Sequence, residues 1–403
     1  MKKKKILVFE AYPVFSGAQR VSLNLCKVLK ENEYDTTLLI ADDSNNSISS
    51  NFKQHVDNIV LLNTSDRLMM YGNAEKWFTP LHFIKSFLFG LLPLYWQCIK
   101  FLFKEKFDVI YFCDPRGAVM ILFPAILFRS KKIMYLQSKN KLNPLLSKFL
   151  FLTFTDYVVC PSIDVLNSLP ESNKKKVINY GIDFTQYSHI DSQKIQSEIE
   201  LLIPKEQVSR TRFLFAGLIK PQKGVHHLIY ALNNLKDKVS SEDFPITFIV
   251  GIAKTPAEIV YRTQLINFTK ENKIDQYIYW IGWRDDVLSW MKSVDYFIFP
   301  TINKEECNFE GFDRIIESTE GSPVVLIESS LCETYTIASK VTGVADTITE
   351  NMNGNTYNPD NTTELTDCLY SVLTEKKRFK GFPNREQFSP TTFANKFLSL
   401  INE

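Results

Sequence analysis

The sequence predicts an α/β protein made of two Rossmann-like domains, each a doubly wound parallel sheet. Three observations predict this fold. The 403 residues suffice for about two domains of roughly 100 to 200 residues. Short apolar segments alternate with segments of helical periodicity, which is typical of parallel sheets covered on both faces. The alternation stops over residues 184–212 and then starts again, which indicates a linker between two units.

The first half contains five short apolar segments that are predicted strands. Between them apolar residues recur at helical spacing, as Val21, Leu25 and Val28 do within the predicted helix 17–32. The apolar run 117–128 lies between two arginines and is predicted to be a buried helix that follows a strand. The five predicted strands are residues 6–10, 36–41, 107–112, 132–136 and 157–161.

The second half repeats the alternation. The predicted domains are residues 1–185 and 186–388, and a helix at about 389–403 is expected to pack back on the first. Because ligands of doubly wound sheets bind at the carboxyl ends of the strands, the predicted site is the cleft between two facing domains. The predicted strands are residues 212–217, 245–251, 277–282 and 296–300, and the predicted helices are residues 224–235, 257–272 and 287–293.

Composition and charge exclude several classes of protein. Apolar residues make up 45% and charged residues 23%, which excludes disordered and collagen-like chains. Residues 1–185 carry 24 lysines and arginines against 16 acidic residues, whereas the remainder carries 23 against 29. The first half could therefore face an anionic surface. Its basic residues accompany apolar runs rather than a recognition element, which argues against a nucleic-acid partner.

The cysteines and the first residues bear on the cellular compartment. The seven cysteines are scattered and form no CxxC pair or Cys/His cluster, so we expect reduced thiols in a cytoplasmic protein, without disulfides or a zinc site. The lysine-rich start is followed by an apolar run of four residues, shorter than the about 7 to 15 of an export signal.

One segment of the first half suggests membrane contact. Residues 86–99 are aromatic and leucine-rich, lie between Lys85 and Lys100, and are interrupted by Gly90 and Pro93. No run reaches the about 18 uncharged apolar residues of a transmembrane helix. The pattern instead predicts a helix lying in a membrane interface, with a core helix under a loop as the alternative.

Three short segments carry polar groups suited to chemistry. Gly17 opens the first helix, where backbone N–H groups and the helix dipole favour a phosphate, although a plain strand-to-helix turn fits equally well. There is no GxGxxG, so a nicotinamide dinucleotide site is not supported. In the second half a predicted strand ends at Gly217 and Lys223 precedes a helix, a pairing suited to a diphosphate, with a solvated lysine as the alternative. Glu320 and Glu328, with seven residues between them, could accept hydrogen bonds from sugar and ribose hydroxyls.

Taken in order, these segments resemble the retaining glycosyltransferases of family 4, which have two facing Rossmann-like domains (the GT-B fold) and include glycogen-synthase-like enzymes and mannosyltransferases. The pattern is Gly17 after the first strand, Gly217 followed by Lys223-Gly224, and the Glu320/Glu328 pair about a hundred residues later. The resemblance spans nearly the whole chain and is strongest over residues 213–359. Further matching segments, in order, are Asn179-Tyr180-Gly181-Ile182-Asp183, Trp280-Ile281-Gly282 with Asp286-Val287 and Asp295, Phe299-Pro300-Thr301, Ala338-Ser339 with Gly343 and Asp346, and Asn353-Gly354.

The resemblance implies a role for each matching residue. Lys223 would neutralise the donor diphosphate, Glu320 would lie at the donor sugar and Glu328 would hold the ribose. The remaining implied positions are Gly217 and Gly17 at the diphosphate, Ser322 and Val324 with backbone N–H groups for the sugar and phosphate, Trp283 and Arg284 beside the nucleotide base, and Gln137 on the acceptor side.

The sequence departs from the family pattern at several positions. The arginine that usually follows the turn glycine is Leu218 here, which removes a cation from the phosphate site. The histidine common in the first domain is absent, with Gln137 the nearest polar candidate. Residues 305–319 resemble an insertion, in which Glu310 superficially mimics the first glutamate. We assign Glu320 and Glu328 because only that register keeps the downstream motif in step.

The implied function is metal-independent, retaining transfer of a sugar from a nucleotide-diphosphate sugar, with no cofactor beyond this substrate. The basic first domain and its aromatic segment favour a lipid-linked saccharide acceptor in bacterial surface polysaccharide synthesis, with the protein peripheral on the inner face of the cell membrane. Two alternatives are a nucleotide-sugar epimerase of the same fold and a non-catalytic scaffold or partner subunit.

Overall fold

The chain folds into two compact α/β units. The computed structural model describes residues 3–12, 15, 17–43, 46–65, 68, 84–188 and 190–403. The first unit comprises Met1–Gly181 and Gln387–Glu403, and the second comprises Ile182–Glu386. Each is built on a parallel sheet with helices, so the predicted fold class is confirmed. His82 and His189, and residues 13, 14 and 16 of the loop after the first strand, lie outside the described residues.

The first unit contains a parallel sheet. Its described strands are β1 (Lys5–Glu10), β2 (Asp35–Ile40), β3 (Asn58–Leu61), β4 (Val109–Cys113), β5 (Lys131–Tyr135), β6 (Tyr157–Cys160) and β7 (Lys175–Val177). They are arranged in the order β3-β2-β1-β4-β5-β6-β7. Ile6 of β1 lies opposite Thr36 of β2 on one side and Val109 of β4 on the other. The order reverses direction at β1, which makes the carboxyl ends of β1 and β4 a topological switch point.

Both faces of this sheet are covered, which explains why its central strands are apolar throughout. Successive side chains of a strand point to opposite faces. Leu7 and Phe9 of β1 belong to one buried core, and Ile6 and Val8 belong to the other. The two strands that the sequence analysis missed, β3 and β7, are the edges of the sheet. They are short and only partly buried, so they lack the apolar signal of the central strands.

The helices of the first unit include three π-helical segments, Phe87–Leu91, Ala118–Leu122 and Lys148–Thr153. The predicted buried helix 117–128 is confirmed over its first part, since Met120 and Ile121 are fully buried. The α-helices are α1 (Gly17–Glu31), α2 (Ser47–Phe52), α3 (Leu92–Glu105), α4 (Asp114–Gly117), α5 (Phe123–Ile126), α6 (Pro144–Ser147) and α7 (Ile163–Asn167).

The apolar segment around residue 90 forms one continuous helix, Ile84–Glu105. Gly90 and Pro93 do not interrupt it: Gly90 lies in the π-helical turn Phe87–Leu91, and Pro93 follows that turn as the second residue of α3. Within the described residues this helix alone is long and apolar enough to cross a membrane, by length and composition only, and 33% of its 18-residue apolar window is buried.

The second unit contains its own parallel sheet, in the order β10-β9-β8-β11-β14-β15. A two-stranded antiparallel hairpin, β12–β13, lies outside it. The strands are β8 (Arg212–Ala216), β9 (Ile246–Val250), β10 (Ile278–Gly282), β11 (Tyr296–Phe299), β12 (Lys304–Glu306), β13 (Ile315–Glu317), β14 (Tyr335–Ser339) and β15 (Gly354–Tyr357). The helices are α8 (Thr185–Ser188), α9 (Gln193–Leu202), α10 (Val225–Leu235), α11 (Pro256–Glu271), α12 (Val287–Lys292), α13 (Val324–Leu331) and α14 (Thr362–Glu375).

The stretch 184–212 is not the plain linker that its polar composition suggested. It contains α8 and α9 and belongs to the second unit. Ile195 and Ile199 of α9 are buried, and Arg212 Nη1 donates to Gln196 Oε1. A helix with only a narrow apolar stripe has a mostly polar composition, so composition alone does not reveal its buried face.

The last helix, α15 (Pro390–Asn402), belongs to the first unit. Phe393, Phe397 and Leu400 enter the same core as Ile6 and Val8 of β1. The ring of Phe397 stacks on that of Tyr135, with centroids 6.2 Å apart. Two lysines fix the end of the helix: Lys131 Nζ of β5 donates to Leu400 O at 2.7 Å, and Lys4 Nζ, just before β1, donates to Ile401 O at 3.2 Å.

Candidate functional site

The turn after β8 places Lys223 against the end of β11. A 3-10 turn, Pro221–Lys223, leads into Gly224, which has φ 67° and precedes α10. A side chain at Gly224 would lie 1.8 Å from the carbonyl oxygen of Pro300, the residue after β11. Only glycine combines this left-handed conformation with so close an approach. The sequence Lys223-Gly224 therefore fixes the lysine at the carboxyl edge of the sheet.

Lys223 and Glu320 are brought together from positions 97 residues apart. Lys223 Nζ donates to Glu320 Oε1, and both side chains are partly buried, with 28% and 17% of their surfaces exposed. Glu320 is oriented through its own backbone N–H, which donates to Ser318 Oγ at 3.2 Å. Glu310, the alternative first glutamate, is an exposed residue of the loop between β12 and β13. Burial and the neighbouring Lys223 lower the pKa of Lys220, which adds a second amine to this edge.

The loop after Glu320 leads directly into α13, as predicted. Gly343 packs so closely on this loop that a side chain there would lie 2.3 Å from Gly321 O. The N-cap of α13, Pro323, makes no side-chain hydrogen bond to the first turn, which begins at Val324. Ser322 is buried, and its Oγ has no hydrogen-bond partner among the described residues. A buried polar atom of this kind is stabilised by a ligand or a water.

Glu328 lies in α13, four residues after Val324, and is partly buried. Gly217 directly follows β8, where its N–H donates to Val250 O at 3.0 Å. Both positions lie where the sequence analysis placed them relative to strand and helix. Their assigned roles in binding stay predictions.

Trp283 and Arg284 follow β10 and differ in their surroundings. Trp283 is 62% exposed, with its indole N–H donating to Asp285 Oδ1. The guanidinium of Arg284 pairs with Asp286 and, in two parallel hydrogen bonds of 2.9 Å each, with Glu198 of α9. These hydrogen bonds raise the pKa of Arg284. Arg284 thus holds α9 to the sheet, and only Trp283 presents a large exposed ring.

The two candidates of the first unit lie at the carboxyl edge of its sheet. Gly17 is the first residue of α1, after β1. Gln137 follows β5, and its backbone N–H donates to Asp114 Oδ1 at 2.9 Å. Glu10 and Asp114 lie at the ends of the adjacent strands β1 and β4, and Glu10 is buried whereas Asp114 is partly buried; loss of hydration raises their pKa values to about 7 and about 6.

Sequence reasoning missed a cluster beside Lys223. His226 and His227 of α10 both hydrogen-bond to Glu305 of β12. The available signal was the pair of consecutive histidines one residue after Lys223-Gly224, in a chain with five histidines.

The comparisons with known proteins bear on this unit directly. Residues 200–391 match the model of the family "Glycosyl transferases group 1". The matched range lies almost entirely within the second unit. The matched range includes Lys223, Glu320 and Glu328.

Other known proteins are similar to this chain over most or all of its length and not only over the second unit. An Escherichia coli UDP-Gal:alpha-D-GlcNAc-diphosphoundecaprenol alpha-1,3-galactosyltransferase is 21% identical over 359 residues, which cover 85% of this chain and 80% of the relative. The structure of Anabaena Alr3699/HepE in complex with UDP has a TM-score of 0.75 at 15% identity, covering 99% of both chains. A glycosyltransferase from Rickettsia africae has a TM-score of 0.74 at 15% identity, covering 100% of this chain and 98% of the other. The fold is therefore GT-B, and the findings support a glycosyltransferase.

Proposed function

We propose that the protein is a retaining family 4 glycosyltransferase that moves a sugar from a nucleotide-diphosphate sugar to a lipid-linked saccharide. The observation that carries the proposal is the Lys223–Glu320 pair at the carboxyl edge of a glycosyltransferase group 1 domain. A cation suited to a diphosphate and a carboxylate suited to sugar hydroxyls occupy adjacent positions at the edge where such sheets bind ligands.

The proposed chemistry is electrostatic. As the bond between the sugar and the diphosphate breaks, negative charge grows on the leaving phosphate, and Lys223 with the first turn of α13 would stabilise it. The acceptor hydroxyl would attack on the same face and pass its proton to the leaving phosphate, with Glu320 and the amides beside Ser322 orienting the sugar. Lys223 would then exchange its Glu320 partner for phosphate oxygens. We infer that the ammonium stands in for a metal ion and that no cofactor is needed.

The substitution of Leu218 for the usual arginine shapes this proposal. With that cation gone, Lys220 supplies a second amine, and its lowered pKa reflects its burial and the charge of Lys223. An anionic diphosphate between the two lysines would relieve their mutual repulsion. We therefore expect a donor site that depends on Lys223 more than one with two permanent cations does.

The acceptor proposal rests on an apolar surface of the first unit, which we define as the exposed side chains of Leu88, Trp96, Phe103, Leu127, Leu145 and Phe149. Each of these side chains is at least 47% exposed. The three helical segments that carry them pack together, since the ring centroids of Tyr95 and Phe123 are 6.3 Å apart and those of Phe123 and Phe149 are 6.4 Å apart.

Exposed basic residues accompany this surface. Lys100 Nζ lies 4.9 Å from the centre of the Trp96 ring, and Lys85, Arg129 and Lys148 are exposed nearby in sequence. Apolar and aromatic side chains beside lysines match an anionic bilayer, in which the rings enter the interface and the amines meet lipid phosphates. We propose that this surface holds the protein on the inner face of a bacterial cell membrane, where a lipid-linked acceptor for surface polysaccharide synthesis would be presented.

The decisive experiment measures thermal stability with UDP, GDP, ADP and their sugars. A ligand at about 100 times its dissociation constant stabilises a protein by about 2.7 kcal/mol. We expect UDP or a UDP-sugar to raise the melting temperature of the wild type and not of Lys223→Ala. Lys254→Ala, on an exposed residue of the same unit, is the matched control and should respond as wild type does. If no nucleotide stabilises the wild type, the non-catalytic scaffold is the better explanation.

A second experiment measures binding to liposomes. Replacing both Trp96 and Phe103 with alanine should reduce flotation with anionic phosphatidylglycerol vesicles about tenfold or more, because two interfacial aromatic anchors are lost. Leu201→Ala, which removes a 90% exposed leucine from the second unit, is the control and should leave flotation unchanged. Equal flotation of the double variant and the wild type contradicts the membrane surface.

A further inference from the structure

Two consecutive histidines at the start of α10 share one carboxylate of the β12–β13 hairpin. His226 Nε2 lies 2.8 Å from Glu305 Oε1, and His227 Nε2 lies 2.7 Å from Glu305 Oε2. The imidazoles are buried, 4% and 6% exposed, and their ring centroids are 4.4 Å apart. The proposed transfer reaction assigns no role to any of the three residues.

The hydrogen bonds of Tyr261 determine the tautomer of His226. The Tyr261 hydroxyl oxygen accepts the backbone N–H of His226 at 3.0 Å and lies 2.8 Å from His226 Nδ1. Burial raises the pKa of Tyr261 well above its usual value, so the hydroxyl keeps its proton and donates it to Nδ1. The ring proton of His226 is then on Nε2 and points at Glu305. Burial also lowers the pKa of His226, in agreement with a neutral ring.

The hydrogen bonds of His227 lead to the same tautomer. Its Nε2 faces a carboxylate oxygen and must therefore be the donor. Its Nδ1 is buried and has no hydrogen-bond partner among the described residues. A proton on that atom would be an unsatisfied buried donor, which costs more than an unpaired lone pair of a neutral ring.

The donors and acceptors around the two rings also distinguish a hydrogen-bonded cluster from a metal site. Two histidines and a glutamate within 4.8 Å are a donor set that zinc could use. Ligation through both Nε2 atoms would move both ring protons to Nδ1, where ligating histidines normally donate to an outer acceptor. Here the Nδ1 of His226 faces the proton of Tyr261, and that of His227 has no acceptor in the described part of the chain. The surroundings fit two N–H donors and do not fit metal ligands.

The shared carboxylate holds the hairpin against α10. Burial alone would raise the pKa of Glu305, but the hydrogen bonds from His226 and His227 outweigh it and bring the pKa to about 2. The loop between β12 and β13 packs on the same histidine cluster. The ring centroid of Phe309 lies 5.2 Å from that of His226 and 4.6 Å from that of Tyr261. The insertion is therefore fixed to the first turn of α10 rather than projecting into solvent.

Both partners of the proposed catalytic pair are attached to this cluster. Lys223 precedes His226 by three residues, through Gly224. On the other side, β13 ends at Glu317, Ser318 N–H donates to Asn303 O at 2.9 Å, and Ser318 Oγ accepts the N–H of Glu320. A shift of the hairpin along α10 would therefore move Glu320 relative to Lys223.

We propose that His226, His227 and Glu305 are positioning residues that set the distance between Glu320 and Lys223, and that the cluster works without a metal ion. The inference rests on the proposed function of that pair. The apparent insertion thus replaces part of the rigidity that a shorter loop before Glu320 would provide.

The first test is spectroscopic and needs no substrate. In long-range ¹H–¹⁵N spectra at pH 7, assigned with His226→Gln and His227→Gln, both rings should show the tautomer protonated on Nε2. Equimolar zinc should leave these signals unchanged. Rings protonated on Nδ1, or signals that shift on adding zinc, overturn the proposal.

The second test uses variants of the hairpin. Glu305→Gln cannot accept two N–H groups, so the amides of Cys307 and Ser318 should exchange about tenfold or more faster with solvent. The turnover number should fall about 10- to 100-fold, as expected for a small misplacement of a reacting group, while the Kd for UDP stays within about twofold. Glu306→Gln, on the next and exposed residue of β12, is the matched control and should change neither the amide exchange rates nor the turnover number.

Conservative replacement separates positioning from folding. His227→Gln retains an N–H donor and should keep more activity than His227→Leu, although both remove the imidazole. Equal turnover of Glu305→Gln and wild type overturns the inference, as does a loss of UDP affinity that parallels the loss of turnover. If the wild type transfers no sugar, the proposed function fails, and the exchange rates and the tautomers still report on the cluster itself.

Discussion

Glu10 is a carboxyl group that the fold keeps away from water. It is the last residue of β1 and is 1% exposed. Its side chain accepts a hydrogen bond from Gln19 Nε2 of α1 at 3.3 Å. Burial, helped by the charge of Asp114, raises its pKa from 4.5 to about 7. Its Oε1 has no hydrogen-bond partner among the described residues, which also favours the neutral acid.

The sign of the resulting pH dependence follows from proton uptake. Between pH 4.5 and about 7 the folded first unit holds a proton on Glu10 that the unfolded chain has released, so its stability falls as pH rises. The loss is at most about 3 kcal/mol, at 1.36 kcal/mol per pKa unit. In Glu10→Gln this part of the slope should vanish, as measured by urea unfolding of the first unit at pH 5 and pH 7.5. Glu31→Gln, at the exposed end of α1, is the control, and identical slopes in wild type and Glu10→Gln contradict the prediction.

Individual site residues could be predicted where a pattern tied them to the end of a strand or the start of a helix. Lys223 follows a strand end and Glu320 precedes a helix, and the structure brings the two side chains together across 97 residues, while their roles stay predictions. Glu305 could not be found in this way. It stands next to Glu306 in a short strand, and only the packing of the hairpin decides which of the two side chains faces His226.

The junction between the 3-10 turn and α10 depends on one glycine. Gly224 is in the left-handed region at φ 67°, and any side chain there would meet Pro300. Gly282, at the end of β10, has φ 84° but has no atom within 4 Å of the position that a Cβ would take. The two glycines therefore separate the conformational cost of a side chain from the steric cost.

Gly224→Ala should destabilise the second unit by about 2 to 5 kcal/mol, since strain in the left-handed region costs about 1 to 2 and the collision with Pro300 costs about 1 to 3. Gly282→Ala should cost only about 1 to 2 kcal/mol. Chemical denaturation followed by the fluorescence of Trp280 and Trp290, both in this unit, measures the difference. Equal destabilisation by the two substitutions contradicts the close approach to β11.

At the scale of elements, the sequence predicts best what is buried on both sides. β9 is wholly buried and β1 is buried from Ile6 onward, and both were found from their apolar residues, although the equally buried β14 was not. The edge strand β7 has the burial and composition of a surface segment. Gly90 and Pro93 indicated a break in the helix Ile84–Glu105, because local propensity does not register the π-helical turn that accommodates them.

At the scale of the whole molecule, the chain enters the first unit twice. Residues 387–403 return to it after the second unit is complete, and α15 contributes Phe393 and Phe397 to its core. A side chain at Gly181 would lie 2.8 Å from Phe393 Cβ, so the end of the first segment and the returning helix are packed in contact. The charges were counted over residues 1–185 and the remainder, whereas the first unit ends at Gly181 and also includes residues 387–403. The charge asymmetry therefore matches the two units only approximately.

Truncation after Phe388 tests this arrangement. Removing α15 exposes the apolar side chains of one face of the first sheet, and each large buried side chain lost costs about 3 to 5 kcal/mol. We expect the amides of β1 and β4 to lose protection in hydrogen-exchange mass spectrometry, while those of β8 and β9 keep theirs. Unchanged protection in β1 and β4 contradicts the assignment of α15 to the first core.

The return of α15 also bears on biosynthesis. Domains usually fold in the order in which the ribosome produces them. Here the amino-terminal half cannot finish its core until residues 387–403 have been translated, whereas residues 182–386 are by then already available as a complete unit. The nascent chain therefore holds an unfinished, apolar first half through most of its translation, a period in which chaperones would find their binding sites exposed.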